Sequence, residues 1–189
     1  TFRERWEILK NTLKERFVDQ KNFNKEYERV LRKHFPNVTS TIDELTQTMD
    51  FMMVNAHPAL GFIRPILPKT IQLGFMHIEP PKELPNGDLK KFLDNSKNGV
   101  IYMSFGSNVQ SKDLSPQVQK IFLNVFSEFN YNFVWKFEAE KLQGIPSNLL
   151  ISKWLPQADL LAHPNMKLFI TQGGQQSMEE AIDRTIPMI

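Results

Sequence analysis

The amino-acid sequence predicts an α/β protein whose second half forms a doubly wound parallel sheet. Four short apolar runs alternate with helical stretches after Gly99, a pattern typical of strands that crossover helices bury on both faces. In addition, 41% of the 189 residues are hydrophobic, which is enough to supply a core of that kind. We therefore expect a globular chain.

The first third of the chain is predicted to be helical. Apolar residues recur every three or four positions at Phe2, Trp6, Leu9, Leu13 and Phe17, and the stripe resumes at Tyr27, Leu31 and Phe35. Pro36 ends this pattern, because proline cannot continue a helix. A stripe of this kind usually packs into a core, and we expect the same here. Thr41 and Glu44 match a capping box for a second, short helix that runs through Thr48.

Two short strands and a linker are predicted next. Residues 49–56 form an apolar run suited to a buried strand, and residues 70–76 form another. Six of the chain's twelve prolines lie between residues 57 and 86, which indicates loops and a linker. We therefore place a domain boundary after Asn86, so that the domains span residues 1–86 and 87–189.

The second half has a regular order of elements. We predict strands at 99–105, 132–137, 149–155 and 167–171, and helices at 115–129 and 174–184. Their connections should be right-handed crossovers. Ligands of such sheets bind beyond the carboxyl ends of the strands. The binding site is therefore expected at residues 104–108, 154–157 and 171–177.

Composition excludes several classes of function. The formal charge is only +2, and the basic residues alternate with acidic ones at helical spacing, so we expect no nucleic-acid partner. The chain has no cysteine, and its four histidines lack ligand spacing, so we expect no metal. No run reaches the about 20 apolar residues of a membrane span. Asn37-Val38-Thr39 matches the N-glycosylation pattern.

Paired glycines mark the turn after the fourth strand. Gly173-Gly174 precedes a helix, so a phosphate could approach the backbone and the free N–H groups of the helix. The alternative is a tight turn in which Ser177 and Glu180 form a capping box. Ser104–Asn108 repeats the glycine-containing turn after the first strand, but matches neither the Walker pattern nor the dinucleotide fingerprint.

Trp154 and Gln157 follow the third strand. A flat indole ring at a strand end can stack on a nucleobase, and a nearby amide can bind polar edges of the base. The alternative, which is the more common fate of a tryptophan, is core packing. These residues alone leave both interpretations open.

The spacing of these pieces resembles the donor-binding motif of UDP-glycosyltransferases. W-x-P-Q begins at Trp154, His163 lies nine residues later, and Q-G-G-x-x-S-x-x-E begins eighteen residues after Trp154. GVIYMSFGS lies upstream, and PALGFIRPILPKTIQLGFMHIEPPKELP is similar to the interdomain linker of the family. The resemblance covers residues 50–189, and more loosely the helices before them.

This resemblance implies a GT-B enzyme, in which two Rossmann-like domains face each other across a cleft. Residues 1–86 would be the end of the acceptor-binding domain and the linker, and residues 87–189 an incomplete donor-binding domain. The implied activity is the inverting transfer of a hexosyl group from a UDP-sugar to a hydroxyl of a small lipophilic acceptor, as in detoxification. No cofactor or metal is implied. The implied location is the lumenal side of the endoplasmic reticulum membrane, with any anchor outside this chain.

The resemblance also implies a role for each motif residue. Trp154 would stack on uracil, Gln157 would bind the uridine part, and Glu180 would accept hydrogen bonds from the ribose hydroxyls. The residues implied around the diphosphate are Ser107, Gln172, Gly173, Gly174, Gln176 and Ser177. Many members have His where Gln172 stands, and Gln there is a variant associated with insect members.

The catalytic base is not assigned within this chain. By the resemblance, the catalytic His and its Asp would lie before Thr1, and the Asp-Gln pair that contacts the sugar would lie beyond Ile189. We therefore expect an internal piece of a longer enzyme that is inactive by itself. The alternatives are a non-catalytic nucleotide-binding module, a related GT-B enzyme such as an epimerase, and an α/β interaction domain.

Overall fold

The structure is a computed structural model that describes residues 1–61, 65–140 and 142–189. These residues form two compact units, which divide between Leu73 and Gly74. Residues 62–64, which belong to the predicted linker, lie outside the described part of the chain.

The division between the units lies earlier than the domain boundary expected after Asn86. Residues 75–86 pack with the second unit, because Leu84 is buried in its core and the backbone N–H of Lys82 donates to the Asp159 carboxylate at 2.7 Å. The proline-rich segment thus joins the unit whose side chains it contacts, although it has no regular secondary structure of its own.

The first unit, residues 1–73, combines helices with a small parallel sheet. Its elements are α1 (Phe2–Lys14), a π-helical stretch (Glu15–Asp19), α2 (Gln20–His34), α3 (Ile42–Gln47), β1 (Met52–Val54) and β2 (Thr70–Gln72). α2 ends before Pro36, as predicted. The predicted capping box of α3 is confirmed, since Thr41 and Glu44 each accept a hydrogen bond from the other's backbone N–H.

The predicted burial of the helical stripe is wrong. Phe2 is 83% exposed, and none of the described residues of the first unit is buried. The predicted burial of β1 is also wrong, and β2 stops at Gln72 because the chain turns immediately after it. A helical stripe becomes part of a core only where another layer of structure covers it, and the described elements of the first unit do not cover this stripe. No described helix has the length and apolar character of a membrane span.

The second unit, residues 74–189, contains the predicted alternation of strands and helices. Its elements are α4 (Asp88–Asp94), β3 (Val100–Ser104), a 3₁₀ turn (Ser111–Asp113), α5 (Pro116–Glu128), β4 (Asn132–Lys136), β5 (Leu149–Ser152), α6 (Gln157–Leu161), β6 (Met166–Thr171) and α7 (Gln175–Asp183). The four strands and two helices predicted after Gly99 are all confirmed. β5 is shorter than predicted, because the chain leaves the sheet at Ser152.

The four strands form one parallel sheet in the order β5-β4-β3-β6. Met188 makes a further, isolated parallel bridge to Phe169 of β6. The chain moves from β3 to β4 and β5 in one direction and then crosses to the other side of β3. The order of the strands therefore reverses between β3 and β6, and such reversals leave a crevice at the carboxyl edge.

Both faces of this sheet are covered by apolar side chains. On one face the Tyr102 and Phe169 rings stack at 4.9 Å, and α6 contributes two buried leucines. On the other face Phe126 of α5 lies 4.3 Å from Phe133, and the Trp135 Nε1–H donates to the Ser111 hydroxyl at 3.0 Å. The strands are therefore buried on both sides, and their carboxyl ends are held in register.

Candidate functional site

A cleft of about 340 Å³ opens at the carboxyl edge of this sheet. Its walls come from the loops after β3 and β5, the end of β4, α6 and one face of α7. Five of the nine predicted binding residues line it, namely Ser107, Trp154, Gln157, Ser177 and Glu180. The structure therefore brings together residues from three separate predicted segments at the predicted edge.

Trp154 lies at the mouth of the cleft with 77% of its surface exposed. The alternative of core packing is therefore wrong for this tryptophan. Its loop is held by the Ser152 hydroxyl, which donates to the Trp154 backbone carbonyl at 2.8 Å. An exposed indole held by a short loop offers a flat surface to a ring-shaped ligand.

Gln157 joins two elements across the cleft. Its Nε2 donates to the Ser177 hydroxyl at 2.9 Å and to the Glu180 carboxylate at 2.7 Å. Its Oε1 accepts from the Tyr102 hydroxyl at 3.1 Å. Gln157 is the first residue of α6, and its amide therefore links α6 to β3 and α7.

The alternative that Ser177 and Glu180 form a capping box is wrong. α7 begins at Gln175 with Gly174 as its N-cap, so Ser177 already lies within the first turn. Both side chains instead accept from Gln157. The Ser-x-x-Glu spacing places the two groups on the same face of the helix, toward the cleft.

The other four predicted residues, Gln172, Gly173, Gly174 and Gln176, do not line the cleft. The first three form the turn from β6 into α7, where Gly173 has a φ of 78° that favours glycine, and Gln176 lies in the first turn of α7. The N-cap residue Gly174 has no side chain with which to cap α7. The first N–H groups of the helix can therefore donate to an anion.

Contact between Gly106 and Gln172 joins this turn to the rim of the cleft. Gly106 lines the cleft and has a φ of 78°. A Cβ atom at this position would lie 2.7 Å from Gln172 Nε2. The backbone conformation thus favours glycine, and a side chain at this position would also displace the Gln172 amide.

Sequence reasoning missed several residues of the cleft, of which Tyr102 and Lys136 make polar contacts to the loops and side chains of the site. Tyr102 is fully buried, and burial raises the pKa of its hydroxyl, with the negative charges of Glu180 and Glu138 adding to the effect. The hydroxyl therefore stays protonated and orients Gln157. Its signal in the sequence was a polar-tipped side chain on an otherwise apolar strand.

Lys136 is the second missed residue, at the carboxyl end of β4. Its Nζ donates to the Gly106 carbonyl at 2.6 Å, pairs with the Glu138 carboxylate at 3.4 Å and lies 5.8 Å from the centroid of the Trp154 ring. It thus supports the loops after β3 and β5 together. Its signal was a charged residue at the end of a predicted strand.

The site therefore offers distinct groups to different parts of a ligand. An exposed ring can stack on a base, a carboxylate can accept from hydroxyls, and the N–H groups of α7 can bind an anion. A ligand that combines a heteroaromatic ring, a diol and phosphates matches this order of groups.

A family model described as UDP-glucuronosyl and UDP-glucosyl transferase matches residues 1–189. The chain is 39% identical over 166 residues to an ecdysteroid UDP-glucosyltransferase of Spodoptera littoralis nuclear polyhedrosis virus, covering 84% of this chain and 32% of that protein. It is 36% identical over 174 residues to a UDP-glycosyltransferase of Dactylopius coccus, covering 92% and 34%. The chain thus spans about a third of the length of these curated relatives.

Similarity also extends to solved structures. A UDP-glucosyltransferase from Polygonum tinctorium is similar with a TM-score of 0.58 and 22% sequence identity. The match covers 74% of this chain and 35% of that chain. At this level of identity the likeness concerns the fold.

Proposed function

Because the chain belongs to the family of UDP-glucuronosyl and UDP-glucosyl transferases, we propose that it carries the UDP-binding part of a hexosyltransferase. The family and the GT-B fold expected from the motif are confirmed. The enzyme would transfer a hexosyl group from a UDP-sugar to a hydroxyl of a small lipophilic acceptor. The Gln157 hydrogen bonds to Ser177 and Glu180, beside the exposed Trp154, are the main support.

Each end of the donor has a proposed partner in the cleft. Uracil stacks on Trp154, and Gln157 binds the uridine part. Glu180 accepts from the ribose hydroxyls, since a carboxylate can accept several hydrogen bonds and keep the one from Gln157. The support for this order is that all three side chains line one cleft.

The diphosphate is proposed to lie at the turn into α7. Ser107 and Ser177 reach it from the cleft, and Gln176 from the first turn of α7. Gly173 and Gly174 let the backbone approach it, and Gln172 donates from the end of β6. The contact of Gln172 with Gly106 at the cleft rim supports this placement.

The proposed chemistry is direct displacement with inversion at the anomeric carbon. A base outside this chain takes the acceptor proton as the hydroxyl attacks. The departing UDP gains negative charge, which the N–H groups of α7 can stabilise without a metal ion. The chain alone holds the leaving-group half of this reaction and should show no transfer.

We also propose that the protein works on the lumenal side of the endoplasmic reticulum, in the detoxification of lipophilic compounds. Asn37 supports this location, because it is exposed in the turn between α2 and α3, where a glycosylation enzyme could reach it. Treatment with an N-glycosidase should shift the mobility of the secretory-pathway protein, and Asn37→Gln should remove a glycan. If neither the N-glycosidase treatment nor the Asn37→Gln substitution changes the mobility of the protein, Asn37 is not glycosylated.

Replacement of Trp154 tests the proposed donor site. In the complete protein, Trp154→Ala should weaken UDP binding by about 1 to 3 kcal/mol, the contribution of one base–aromatic stack. Calorimetry with UDP measures the loss. Tyr131→Ala is the matched control, because Tyr131 is also an exposed aromatic residue but precedes β4 at the opposite edge of the sheet. Equal affinities of the two variants would remove Trp154 from the site.

A further inference from the structure

His77 connects the segment at the start of the second unit to the first turns of α7. Its Nδ1 lies 3.3 Å from the Glu179 carboxylate, and its Nε2 lies 3.3 Å from the Gln176 backbone carbonyl. The two contacts lie about a hundred residues away along the chain. They attach His77 to the helix that carries Ser177 and Glu180.

The carboxylate partner is buried. The Glu179 side chain is 1% exposed, and its other oxygen accepts from Gln175 Nε2 at 3.0 Å. A buried carboxylate is costly unless charged or polar groups compensate it. His77 is a group that can supply a positive charge at this position.

The two ring nitrogens of His77 differ in their contacts. Nε2 makes a hydrogen bond, whereas Nδ1 is buried without a hydrogen-bond partner among the described residues and has the Glu179 carboxylate 3.3 Å away. A neutral imidazole has a single N–H and can donate to one of the two oxygens. The imidazolium keeps the hydrogen bond to the Gln176 carbonyl and adds the attraction between its charge and the Glu179 carboxylate. The protonated ring therefore holds α7 at two points.

Other charged groups surround the same place. A cavity of about 160 Å³ next to His77 is lined by charged residues of its own segment, of α6 and of α7, namely Glu79, Lys82, Asp159, Glu180 and Arg184. Lys82 pairs with Glu79 at 3.0 Å, and Arg184 pairs with Asp183 at 2.8 Å. Both cations thus have carboxylate partners of their own.

We propose that His77 is a positioning residue for the donor site and that its protonated form strengthens the binding of UDP-sugar. Gln176 belongs to the turn assigned to the diphosphate, and Glu179 is adjacent to Glu180. The hydrogen bond to Gln176 and the ion pair with Glu179 therefore hold the groups that meet the donor. The inference rests on the proposed function of the cleft.

Proton linkage provides the test. By reciprocity, if protonation of His77 strengthens donor binding, donor binding must draw a proton to the protein. Calorimetry of the complete protein with UDP-glucose, in buffers of different ionisation enthalpy, counts that proton. UDP-glucose is the suitable probe, because the terminal phosphate of UDP itself titrates near pH 6. We expect proton uptake on binding, and an affinity that rises about fivefold as the pH is lowered from 8 to 6.

Two variants locate the effect. His77→Gln keeps an amide donor but cannot titrate, so it should bind with the wild-type affinity of pH 8 at every pH and take up no proton. Glu179→Gln should also abolish the proton uptake, and it provides the same test if His77→Gln does not fold. His163→Gln should keep the uptake, because His163 precedes β6 at the opposite edge of the sheet.

The outcomes separate this inference from the proposed function. Binding of UDP-glucose by the wild type without proton uptake, or unchanged uptake in His77→Gln, would overturn the role of His77 and leave the donor site in place. Failure of the wild type to bind UDP-glucose would overturn the donor site and the role of His77 with it.

Discussion

Gln157→Met is the substitution that separates the network of the cleft from its packing. Methionine has nearly the volume of glutamine, so the change removes three hydrogen bonds and leaves the space filled. Ser177 and Glu180 are only partly buried and can turn to water. Tyr102 cannot, because its ring is fully buried.

The expected cost follows from that difference. A buried donor without a partner costs about 1 to 3 kcal/mol. Ser104 is a second hydrogen-bonding neighbour of the Tyr102 hydroxyl, so we expect the lower half of that range, about 1 to 2 kcal/mol of unfolding free energy. UDP affinity should fall as well, since the substitution removes the proposed contact with uridine.

A double-mutant cycle with Tyr102→Phe measures the coupling. Removal of the hydroxyl should destabilise the wild type by more than it destabilises the Gln157→Met variant, because in that variant the hydroxyl has already lost its bond to Gln157 and keeps only Ser104. Urea unfolding of the four proteins supplies the values. Additive losses within about 0.3 kcal/mol would show that Tyr102 and Gln157 are not coupled and would refute the reasoning.

Three further predictions address the turns and the rim of the sheet. Gly106 and Gly144 both have a positive φ, so Gly106→Ala and its control Gly144→Ala should each lower the unfolding free energy by about 1 to 2 kcal/mol. Only Gly106→Ala should also weaken UDP binding, because its side chain displaces Gln172. Gln172→Ala should weaken UDP binding by about 0.5 to 3 kcal/mol, and a lower melting temperature of this variant with unchanged UDP affinity would assign Gln172 to packing. Gln172→His should bind UDP-glucose more tightly below about pH 6.5, where histidine is protonated. The hydrogen bond from His163, followed by Lys90, lowers the pKa of Asp94 below its usual range. The ionised Asp94 should therefore stabilise the fold at pH values above the ordinary aspartate pKa, and this stabilisation should be lost as the pH falls through the lowered pKa. The Asp94→Asn variant should not show this decrease in unfolding free energy in acid.

The carboxyl-edge site was predictable because its signals are local. A strand buried on both faces must be a continuous apolar run, so β3, β4, β5 and β6 could be located from the sequence. Parallel order then places their carboxyl ends at one edge, where the turn glycines and Trp154 lie.

Burial and pairing over long distances were not predictable in the same way. The stripe that includes Phe2 has the spacing of a core helix, but burial depends on what covers a face, and nothing in the described first unit does so. Ser177 and Glu180 likewise have the spacing of a capping box, and only the position of Gln157 shows which hydrogen bonds they accept.

The sequence by itself determined the positions of the strands, the family and the edge at which the site forms, since each depends on residue type and spacing along the chain. The tertiary structure decided which side chains meet. Tyr102 reaches Gln157 across fifty-five residues, and His77 reaches Gln176 across ninety-nine. Contacts of this kind depend on the packing of whole elements, because the chain between two such residues imposes no spacing that a local pattern could reveal.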